Sequence, residues 1–402
     1  MIREFTIENF KSIESLTLPL GRVTVLIGEN GAGKSNVLEG MAFFCAAAHG
    51  KLDDEFLHAR GVRAAPTANV LCAFSSNRSQ PKKHSFEAGI SSGRKPIKVF
   101  ISDLSQLEQG EGWGAGVGMF WPNSHKADEQ EATWVKLLND KAYDKLLHLP
   151  KTVDEQKKLG QFLKNTLAGT SKANSTLDRL SKLLPTPFVI FSPENTALRT
   201  FEAEGQMRPL GVRGEGLFKL VQQFAEHQPA KFKLLRKELK LFDWFEDFAI
   251  PKRLGIGESR LEIKDRFLAA KRLLDQRSAN EGFLFLLFYL CLFLSPQTPK
   301  FFAIDNIDAS LNPKLCAEMM RRLVALAKQE DKQVIITTHN PAILDGLDLA
   351  DKEQILYAIQ RDEKGRTIAQ RIPAPKPQRG EPALKLSHAY LRGLLGGVPK
   401  NF

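Results

Sequence analysis

Alternating apolar and polar positions at the start of the chain predict an antiparallel β-hairpin. The alternation covers residues 2–8 and 15–20, two runs of ordinary strand length. A β-branched run at 22–27 ends at Gly28 and has the pattern of a strand buried on both faces. A helical pattern follows at about 35–48. Further short strands separated by turn residues are predicted at 68–75, 84–90 and 97–102.

The middle of the chain changes character. From about 126 to 184 the pattern is that of polar helices rich in Lys, Asp and Leu, which we interpret as a helical insertion. The elements predicted after it are a strand at 188–191, two helices within 214–247, a strand at 260–264 and a helix at about 265–276. The basic and aromatic run 231–248 is placed in the second of the two helices.

The last third alternates strands with helices, the pattern of a parallel sheet flanked by helices. In order, the predicted elements are a helix at 282–294, a strand at 301–304, a helix at 313–328, a strand at 334–337, a short helix at 341–346, a hairpin at 355–360 and 367–372, and a helix at about 383–395. We therefore expect an α/β fold with a mostly parallel sheet and additional antiparallel strands.

Composition limits the class of protein. The 402 residues are 43% hydrophobic and 26% charged, as in ordinary globular chains. No apolar run reaches the length of a membrane-spanning helix, and the chain starts with a strand pattern rather than a basic and apolar leader, so we expect a cytoplasmic protein. The cysteines form no CxxC pair, so neither a zinc site nor a disulfide framework is expected.

The charge balance points to a polyanionic partner. The net charge is +11 and the isoelectric point about 9.4, which favours nucleic acid. Basic residues are densest at 231–240 and 252–272. The alternative is a solvated basic surface that only keeps the protein soluble.

A phosphate-binding loop is the strongest motif. The segment after the strand at 22–27 matches G-x-x-x-x-G-K-S/T and leads into a predicted helix, the context that the motif requires. Its members are Gly28, Glu29, Asn30, Gly31, Ala32, Gly33, Lys34 and Ser35, and Asn36 follows them. Glycines let backbone N–H groups approach phosphate oxygens, Lys34 reaches the β- and γ-phosphates, and Ser35 binds Mg²⁺. The motif thus predicts ATP and Mg²⁺ as cofactors, the alternative being a chance glycine-rich turn.

Two later strands end in residues that complete such a site. The strand at 301–304 is followed by Asp305, a position that holds Mg²⁺ in P-loop ATPases. The strand at 334–337 leads to His339, whose order and spacing after Asp305 match the switch histidine of ABC-type heads. Either residue alone could have a structural role. We predict that Asp305 and His339 belong to a nucleotide site because they occur together with the phosphate-binding loop.

These segments, together with 7–13 (Ile-Glu-Asn-Phe-Lys-Ser-Ile) and 337–340 (Thr-Thr-His-Asn), resemble the SMC/RecF-like branch of ABC-type P-loop ATPases. More narrowly, they resemble the AAA-type ATPases of bacterial anti-phage systems, such as the OLD-family and Septu-type ATPases. The resemblance covers about 1–50 and 275–350. It implies an ABC-type ATPase head with a helical insertion or lid, which forms a homodimer by enclosing ATP between two subunits.

The resemblance also assigns roles to single residues. Ser192 and Glu194 follow the strand at 188–191, where the family has its Q-loop, and the sequence has no Gln there. Ser278, Asn280 and Gly282 resemble the signature motif, which contacts the ATP of the partner subunit. Residues 309–312 resemble the D-loop, and Lys11 is a candidate phosphate contact.

One position departs from the family. Asn306 follows Asp305, where the family has a catalytic glutamate. An amide can orient water but cannot accept its proton, so we expect slow hydrolysis unless Asp308 or Glu194 acts as the base.

The resemblance divides the chain into four segments. They are an N-terminal ATPase lobe with the phosphate-binding loop at 1–103, a helical insertion at 104–185, the Q-loop strand and a helical lobe at 186–275, and a C-terminal ATPase lobe at 276–402. No Toprim or HNH nuclease motif is recognisable. The leading hypothesis is a dimeric ATPase that acts as sensor and switch in phage defence, with a nuclease effector on a separate chain. The alternatives are a RecF-like DNA-repair ATPase and a scaffold clamped by ATP with little turnover.

Overall fold

The structure is a computed structural model of the chain, and it describes part of the residues. The described residues are 1–49, 51–63, 69–72, 85–91, 97–103, 113–119, 135–137, 184, 188–205, 207–251, 254–255, 258–269, 272–308, 311–375 and 384–396.

The central sheet carries the phosphate-binding loop. Its strands, in spatial order, are β14 (Thr367–Ile372), β13 (Gln354–Arg361), β3 (Val23–Ile27), β12 (Gln333–Thr338), β11 (Phe301–Ile304) and β8 (Ile190–Phe191). Neighbouring strands run parallel except for β14, which pairs with β13 in the predicted hairpin. Because β3 lies between β13 and β12, and β12 lies beside β11, the carboxyl ends of these strands meet at one edge. The predicted mostly parallel sheet is confirmed.

A second, antiparallel sheet packs beside the first. Its strands, in spatial order, are β2 (Ile13–Pro19), β1 (Glu4–Phe10), β4 (Ser85–Ser91), β5 (Ile97–Asp103), β6 (Trp113–Met119) and β7 (Val135–Leu137). The predicted hairpin is β1 paired with β2, in the register Phe10 opposite Ile13. The short turn between them brings Lys11 and Ser12 close to the phosphate-binding loop.

Helix α1 (Lys34–Ala48) lies between the two sheets and is buried on nearly all sides. Phe44 meets Phe5 of β1 edge to face at 6.5 Å between ring centroids, and Phe43 meets Phe10 in the same way at 5.6 Å. This packing holds the second half of α1, and the first turn of the helix follows the loop directly. A short helix α2 (Asp54–His58) follows.

The second core surrounds one apolar helix. Helix α6 (Glu281–Leu294) is buried at every position after the first, because its side chains are apolar all round. Phe288 packs on Phe191 of β8, and Phe293 packs on Phe302 of β11. The helices in the same half of the protein are α3 (Asn195–Thr200), α4 (Leu217–His227), α5 (Pro229–Leu239) and α7 (Pro313–Gln329), followed by a 3-10 helix (Pro341–Gly346) and α8 (Leu386–Leu391).

Two predicted helices are wrong in part. The run 231–248 does not stay helical, because α5 ends at Leu239 and the aromatic residues beyond it form β9 (Phe245–Ala249), which pairs with β10 (Glu262–Asp265). Phe245 and Phe248 are buried in this arrangement, and the ring of Phe245 contacts Phe283 of α6. Tertiary packing thus outweighs the local helical pattern.

The helix expected at 265–276 is also wrong for the residues of this segment that the structure describes, 265–269 and 272–276. The Asp265 carboxylate accepts a hydrogen bond from the Phe267 N–H at 2.8 Å, an Asx-type turn that ends the strand. Leu274 then forms a bridge back to Ile263. The described part of the segment is therefore a turn followed by extended chain.

The proposed insertion at 104–185 lies largely outside the described residues. The parts that are described, β6 and β7, are strands that extend the antiparallel sheet rather than helices. In the part of the chain that the structure describes, no helix is both long and apolar enough to span a membrane.

Candidate functional site

The glycines of the phosphate-binding loop serve different purposes. Gly31 and Gly33 have positive φ angles of 77° and 106°, a conformation that other residues rarely adopt. A Cβ atom at Gly33 would lie 2.1 Å from Thr367 Oγ1, and one at Gly28 would lie 2.1 Å from the Ile359 carbonyl oxygen. Gly31 faces open space, so a Cβ there would meet no atom within 4 Å. The loop is therefore held closely on the hairpin side and open on the opposite side.

A chain of hydrogen bonds holds this loop from behind. Asn36 Nδ2 donates to Ser12 Oγ at 2.6 Å, Ser12 Oγ lies 2.7 Å from Thr367 Oγ1, and Thr367 Oγ1 donates to the Ala32 carbonyl oxygen at 2.9 Å. Asn36 therefore supports the loop rather than facing its open side. Ser12 and Thr367 are both buried, which protects these bonds from water.

Lys34 is the buried cation of the site. Its Nζ donates to the carbonyl oxygens of Gly28 at 2.9 Å and Glu29 at 3.0 Å, and lies 3.5 Å from His339 Nδ1. Burial lowers the pKa of Lys34 to about 8, and the nearby Asp305 opposes this shift. An ammonium group held inside a loop of backbone N–H groups is suited to phosphate oxygens.

Ser35 and Asp305 form the candidate metal site. Ser35 Oγ donates to Asp305 Oδ2 at 3.1 Å, and Thr337 Oγ1 donates to the other carboxylate oxygen. The pair meets because β11 and α1 place their residues at the same edge of the central sheet. A hydroxyl and a carboxylate oxygen are ligands that Mg²⁺ accepts alongside phosphate and water. The residues present therefore fit a Mg²⁺–nucleotide complex.

His339 and Asp308 also lie near Lys34. Burial lowers the pKa of His339, and the positive charge of Lys34 adds to this effect, so the imidazole is neutral at pH 7. Asp308 Oδ1 accepts a hydrogen bond from Thr338 Oγ1 at 2.6 Å, which fixes its orientation. Both residues thus lie in the cluster around the loop.

Asn306 is exposed at the end of β11 and has a φ angle of 55°. Asparagine tolerates this left-handed conformation better than most residues. The Asn306 N–H donates to Thr337 Oγ1 at 2.9 Å, the same hydroxyl that donates to Asp305. The backbone at 306 is therefore tied to the candidate metal ligand, while the side chain is open to solvent.

A buried carboxylate that sequence reasoning missed organises two cations beside the loop. Glu39 of α1 is only 2% exposed, and it pairs with Lys11 and with Arg63, whose Nε lies 2.6 Å from Glu39 Oε1. The bond to Glu39 raises the pKa of Arg63, and the negative charge of Asp305 contributes to the rise. The sequence feature that could have indicated this cluster is Glu39 itself, a single glutamate within the mostly apolar helix α1.

Glu194 lies at the exposed start of α3, after β8. Because β8 pairs with β11, the residues after both strands lie at one edge of the sheet. The Glu194 N–H donates to the Arg213 carbonyl oxygen at 2.9 Å, and Ser192 is held in the same way by Val212 at 2.8 Å. A loop at 209–216, absent from the sequence predictions, thus supports this segment.

The signature-like residues lie at the start of α6. Asn280 caps the helix, and its Oδ1 accepts from the Gly282 N–H at 2.9 Å. Ser278 and Asn280 are exposed, whereas Gly282 is buried. Asn280 lines a groove of about 870 Å³ together with residues 311–312. The remaining D-loop positions, 309–310, lie outside the described residues.

Comparison with known proteins gives two family matches. A family described as "AAA ATPase domain" matches residues 1–247. A second, described as an AAA domain with a proposed link to the AbiEii toxin of type IV toxin–antitoxin systems, matches residues 270–345. No curated protein matches the chain.

Solved structures of SMC heads are similar to this chain. An SMC head bound to the C-winged helix domain of ScpA has 14% identity, covers 92% of this chain and 98% of its own, and has a TM-score of 0.51. The SMC head domain of Thermotoga maritima has 13% identity, coverages of 93% and 99%, and a TM-score of 0.44. A Pyrococcus furiosus SMC head domain with an extended coiled coil has 14% identity, coverages of 98% and 99%, and a TM-score of 0.48. At such identities the likeness concerns the fold, which is the α/β fold of an SMC-type head.

Proposed function

Because this chain belongs to the AAA ATPase domain family, we propose that it binds Mg²⁺–ATP in the loop between β3 and α1 and hydrolyses it slowly. The observation that carries the proposal is the pair Ser35 Oγ and Asp305 Oδ2, 3.1 Å apart beside the buried ammonium of Lys34. A hydroxyl, a carboxylate and a buried cation at the mouth of a glycine-rich loop are the groups with which P-loop ATPases bind phosphate and Mg²⁺.

The residues divide the work as follows. Lys34 and the backbone N–H groups at 31–35 bind phosphate oxygens, and Ser35 with Asp305 would hold Mg²⁺. When bound, Mg²⁺ neutralises charge on the phosphates and polarises the bond that breaks. His339, neutral and 3.5 Å from the Lys34 ammonium, is positioned to hydrogen-bond a phosphate oxygen or the attacking water.

Slow turnover follows from the chemistry of Asn306. The side-chain amide orients water through a hydrogen bond but cannot take its proton. A general base typically contributes about 10²- to 10⁴-fold, so its lack leaves a long-lived ATP state. Asp308 accepts a bond from Thr338 on one carboxylate oxygen, and the variant Asp308→Ala tests whether it acts as a substitute base.

The proposed working form is a homodimer that encloses ATP and acts as a sensor and switch. Ser278 and Asn280 are exposed at the start of α6, on a different element from the phosphate-binding loop, so each could complete the site of a second copy. The SMC head described above binds a domain of a separate protein, ScpA, which supports a separate effector here. The family linked to a toxin–antitoxin system supports a role in anti-phage defence.

The test is ATP binding and phosphate release by the purified protein. Lys34→Ala should abolish nucleotide binding, and Asp305→Asn should retain binding but lose the dependence on Mg²⁺. Lys328→Ala, at an exposed lysine near the end of α7, is the control and should behave like the unchanged protein. Equal binding by Lys34→Ala and Lys328→Ala would exclude this site.

A second candidate function is DNA repair of the RecF type. Lys233, Lys237 and Lys240 are exposed along α5 and just after it, and none of them forms an ion pair within the described residues. Such a lysine face favours contact with nucleic-acid phosphates. A scaffold clamped by ATP would instead bind ATP, form the dimer and release no phosphate.

A further inference from the structure

A single hydroxyl lies at the centre of the apolar helix α6. Tyr289 is fully buried, and its Oη donates to the Ile307 carbonyl oxygen at 3.2 Å. The ring packs edge to face on Phe288 at 5.7 Å and near Phe285 at 6.4 Å. A phenylalanine would fill the same space, and burying a hydroxyl costs free energy unless it forms a hydrogen bond. The hydroxyl therefore contributes chiefly by holding the Ile307 carbonyl oxygen in place.

That carbonyl belongs to the loop that carries the candidate water-orienting residue. Asn306 immediately precedes Ile307, and the two N–H groups donate to Thr337 Oγ1 at 2.9 Å and to the Thr337 carbonyl oxygen at 3.2 Å. The strand β12 thus holds the loop from one side. Tyr289 holds it from the other side, through the only hydroxyl group in the sequence of α6.

We propose that Tyr289 is a positioning residue for ATP turnover, which sets the orientation of Asn306 by fixing the peptide unit that joins Ile307 to Asp308. The proposal rests on the ATPase function proposed above. The hydroxyl is buried and bonded to the Ile307 carbonyl oxygen, so its effect passes through Asn306 and not through contact with a bound nucleotide. Burial raises the pKa of Tyr289, with a further contribution from the nearby Asp308, so the hydroxyl stays protonated and remains a donor.

The same helix links this loop to the proposed dimer contact. Asn280 caps the first turn of α6, and nine residues later, about 13 Å along the helix axis, Tyr289 meets the loop. The Arg199 guanidinium donates to the carbonyl oxygens of Arg277 and Ala279 at 2.7 and 2.9 Å and fixes the approach to the helix. A displacement of the start of α6 by a second subunit would therefore shift the peptide unit that joins Ile307 to Asp308, one residue beyond Asn306.

The experiment compares two tyrosines that make the same kind of bond. Tyr357 of β13 is also buried and donates to the Pro19 carbonyl oxygen at 2.8 Å, in a place that does not contact Asn306. Tyr289→Phe should lower kcat about fivefold or more, with KM and the dissociation constant for ATP changed less than about twofold. Tyr357→Phe should change neither kcat nor KM, although both variants lack one buried hydrogen bond.

Two further measurements separate positioning from a general loss of structure. In an Asn306→Ala background, Tyr289→Phe should cause no additional loss of kcat, because its effect passes through Asn306. Amide hydrogen exchange at 306 and 307 should be faster in Tyr289→Phe than in Tyr357→Phe, without nucleotide.

The outcomes are distinguishable. If the unchanged protein releases no phosphate, the proposed function fails, and with it the positioning role in turnover. If the protein turns over ATP and Tyr289→Phe matches it, or Tyr357→Phe loses as much, the function stands and this inference is overturned. Additive loss in the Asn306→Ala background would also overturn it, since Tyr289 would then act by another route.

Discussion

Thr367 Oγ1 donates to the Ala32 carbonyl oxygen at 2.9 Å, although the residues are 335 positions apart. The bond joins strand β14 to the phosphate-binding loop. Beside it, Arg361 Nε of β13 donates to the Gly31 carbonyl oxygen at 2.9 Å. The C-terminal hairpin therefore holds the back of a loop that the sequence motif describes as a local unit.

We expect Thr367→Val to weaken ATP binding several-fold, because the Ala32 carbonyl would lose the Thr367 hydroxyl as its donor and the Ser12 hydroxyl would keep only its bond from Asn36. The free energy of unfolding should fall by about 1–2 kcal/mol. Thr298→Val is the control, since Thr298 is buried and donates to the Leu292 carbonyl oxygen at 2.6 Å. Calorimetric titration should find weaker ATP binding only for Thr367→Val, and equal weakening by both variants would contradict a specific role for β14.

Asn306→Glu should speed hydrolysis and shorten the life of the ATP-bound dimer, because a carboxylate at this position can accept the proton of the attacking water. Phosphate release under single-turnover conditions measures the change, which we expect to be at least about tenfold. Asp308→Ala tests the substitute base and should leave the natural rate unchanged. Rapid turnover by the natural protein, with no gain from Asn306→Glu, would show that this residue is not beside the water.

Ser278→Arg should prevent ATP-dependent dimer formation, because it adds bulk and charge at the exposed start of α6. The sequence alone favours Gly282→Arg for this test, but Gly282 is buried and an arginine there would disturb the helix itself. Ser15→Arg, at an exposed serine of β2, is the matched control. Light scattering with and without ATP gives the mass, and an ATP-dependent dimer of the Ser278→Arg variant would contradict the proposed interface.

Replacing Lys233, Lys237 and Lys240 together by alanine should weaken binding to duplex DNA and flatten its dependence on salt, because fewer phosphates are neutralised and fewer counterions are released. The control has the same change in charge, because it replaces three other exposed lysines, Lys328, Lys352 and Lys364, by alanine. Fluorescence anisotropy between about 50 and 200 mM salt provides the comparison. If both triple variants bind alike, the lysine face of α5 only keeps the protein soluble.

Stability should rise between about pH 8 and 10.5 because of Lys332. This lysine is 2% exposed, its Nζ donates to the Ser295 carbonyl oxygen at 2.7 Å, and burial lowers its pKa to about 8. Above pH 8 the folded protein releases this proton, while the unfolded chain keeps it until its ordinary pKa of 10.5. The free energy of unfolding should therefore increase with pH across this window, by up to about 3 kcal/mol.

Lys332→Met should show a smaller increase in urea titrations at successive pH values, because only the contribution of Lys34, whose pKa is also lowered to about 8, remains. Lys328→Met should keep the full increase. The rise should be confined to the window between the two pKa values, since below pH 8 the lysine is protonated in both states. An identical pH profile for the natural protein and Lys332→Met would contradict the assignment.

The phosphate-binding loop could be predicted because its chemistry is local. The conformation of residues 28–35 depends on glycines within the segment itself, and the strand and helix on either side follow from short-range patterns. The strands before Asp305 and His339 were equally clear, because a buried parallel strand is a continuous apolar run. The proximity of Ser35 to Asp305 depends on the order of the strands in the sheet. The alternation of strands and helices in the sequence implies a parallel sheet but does not specify that order.

Other features depended on contacts between residues far apart in the sequence. The aromatic run after Leu239 has a helical pattern, yet it forms β9 because Phe245 gains more from packing on Phe283 than from continuing α5. The pairing of Glu39 with Lys11 and Arg63 could not be predicted either, since one buried charge selects partners only after the fold brings them near.

The sequence by itself therefore determined the α/β class, the glycine-rich loop after β3 and the residue types, Ser35, Asp305 and His339, that the fold brings to that loop. Only the tertiary structure decided which residues hold the two loops in place. The Thr367 hydroxyl donates a hydrogen bond to Ala32 in the loop after β3, and the Tyr289 hydroxyl donates one to Ile307 in the loop after β11. The physical reason is the range of the interactions. Backbone conformation and periodic burial are set within a few residues, whereas a buried hydrogen bond between distant segments exists only once both have been packed together.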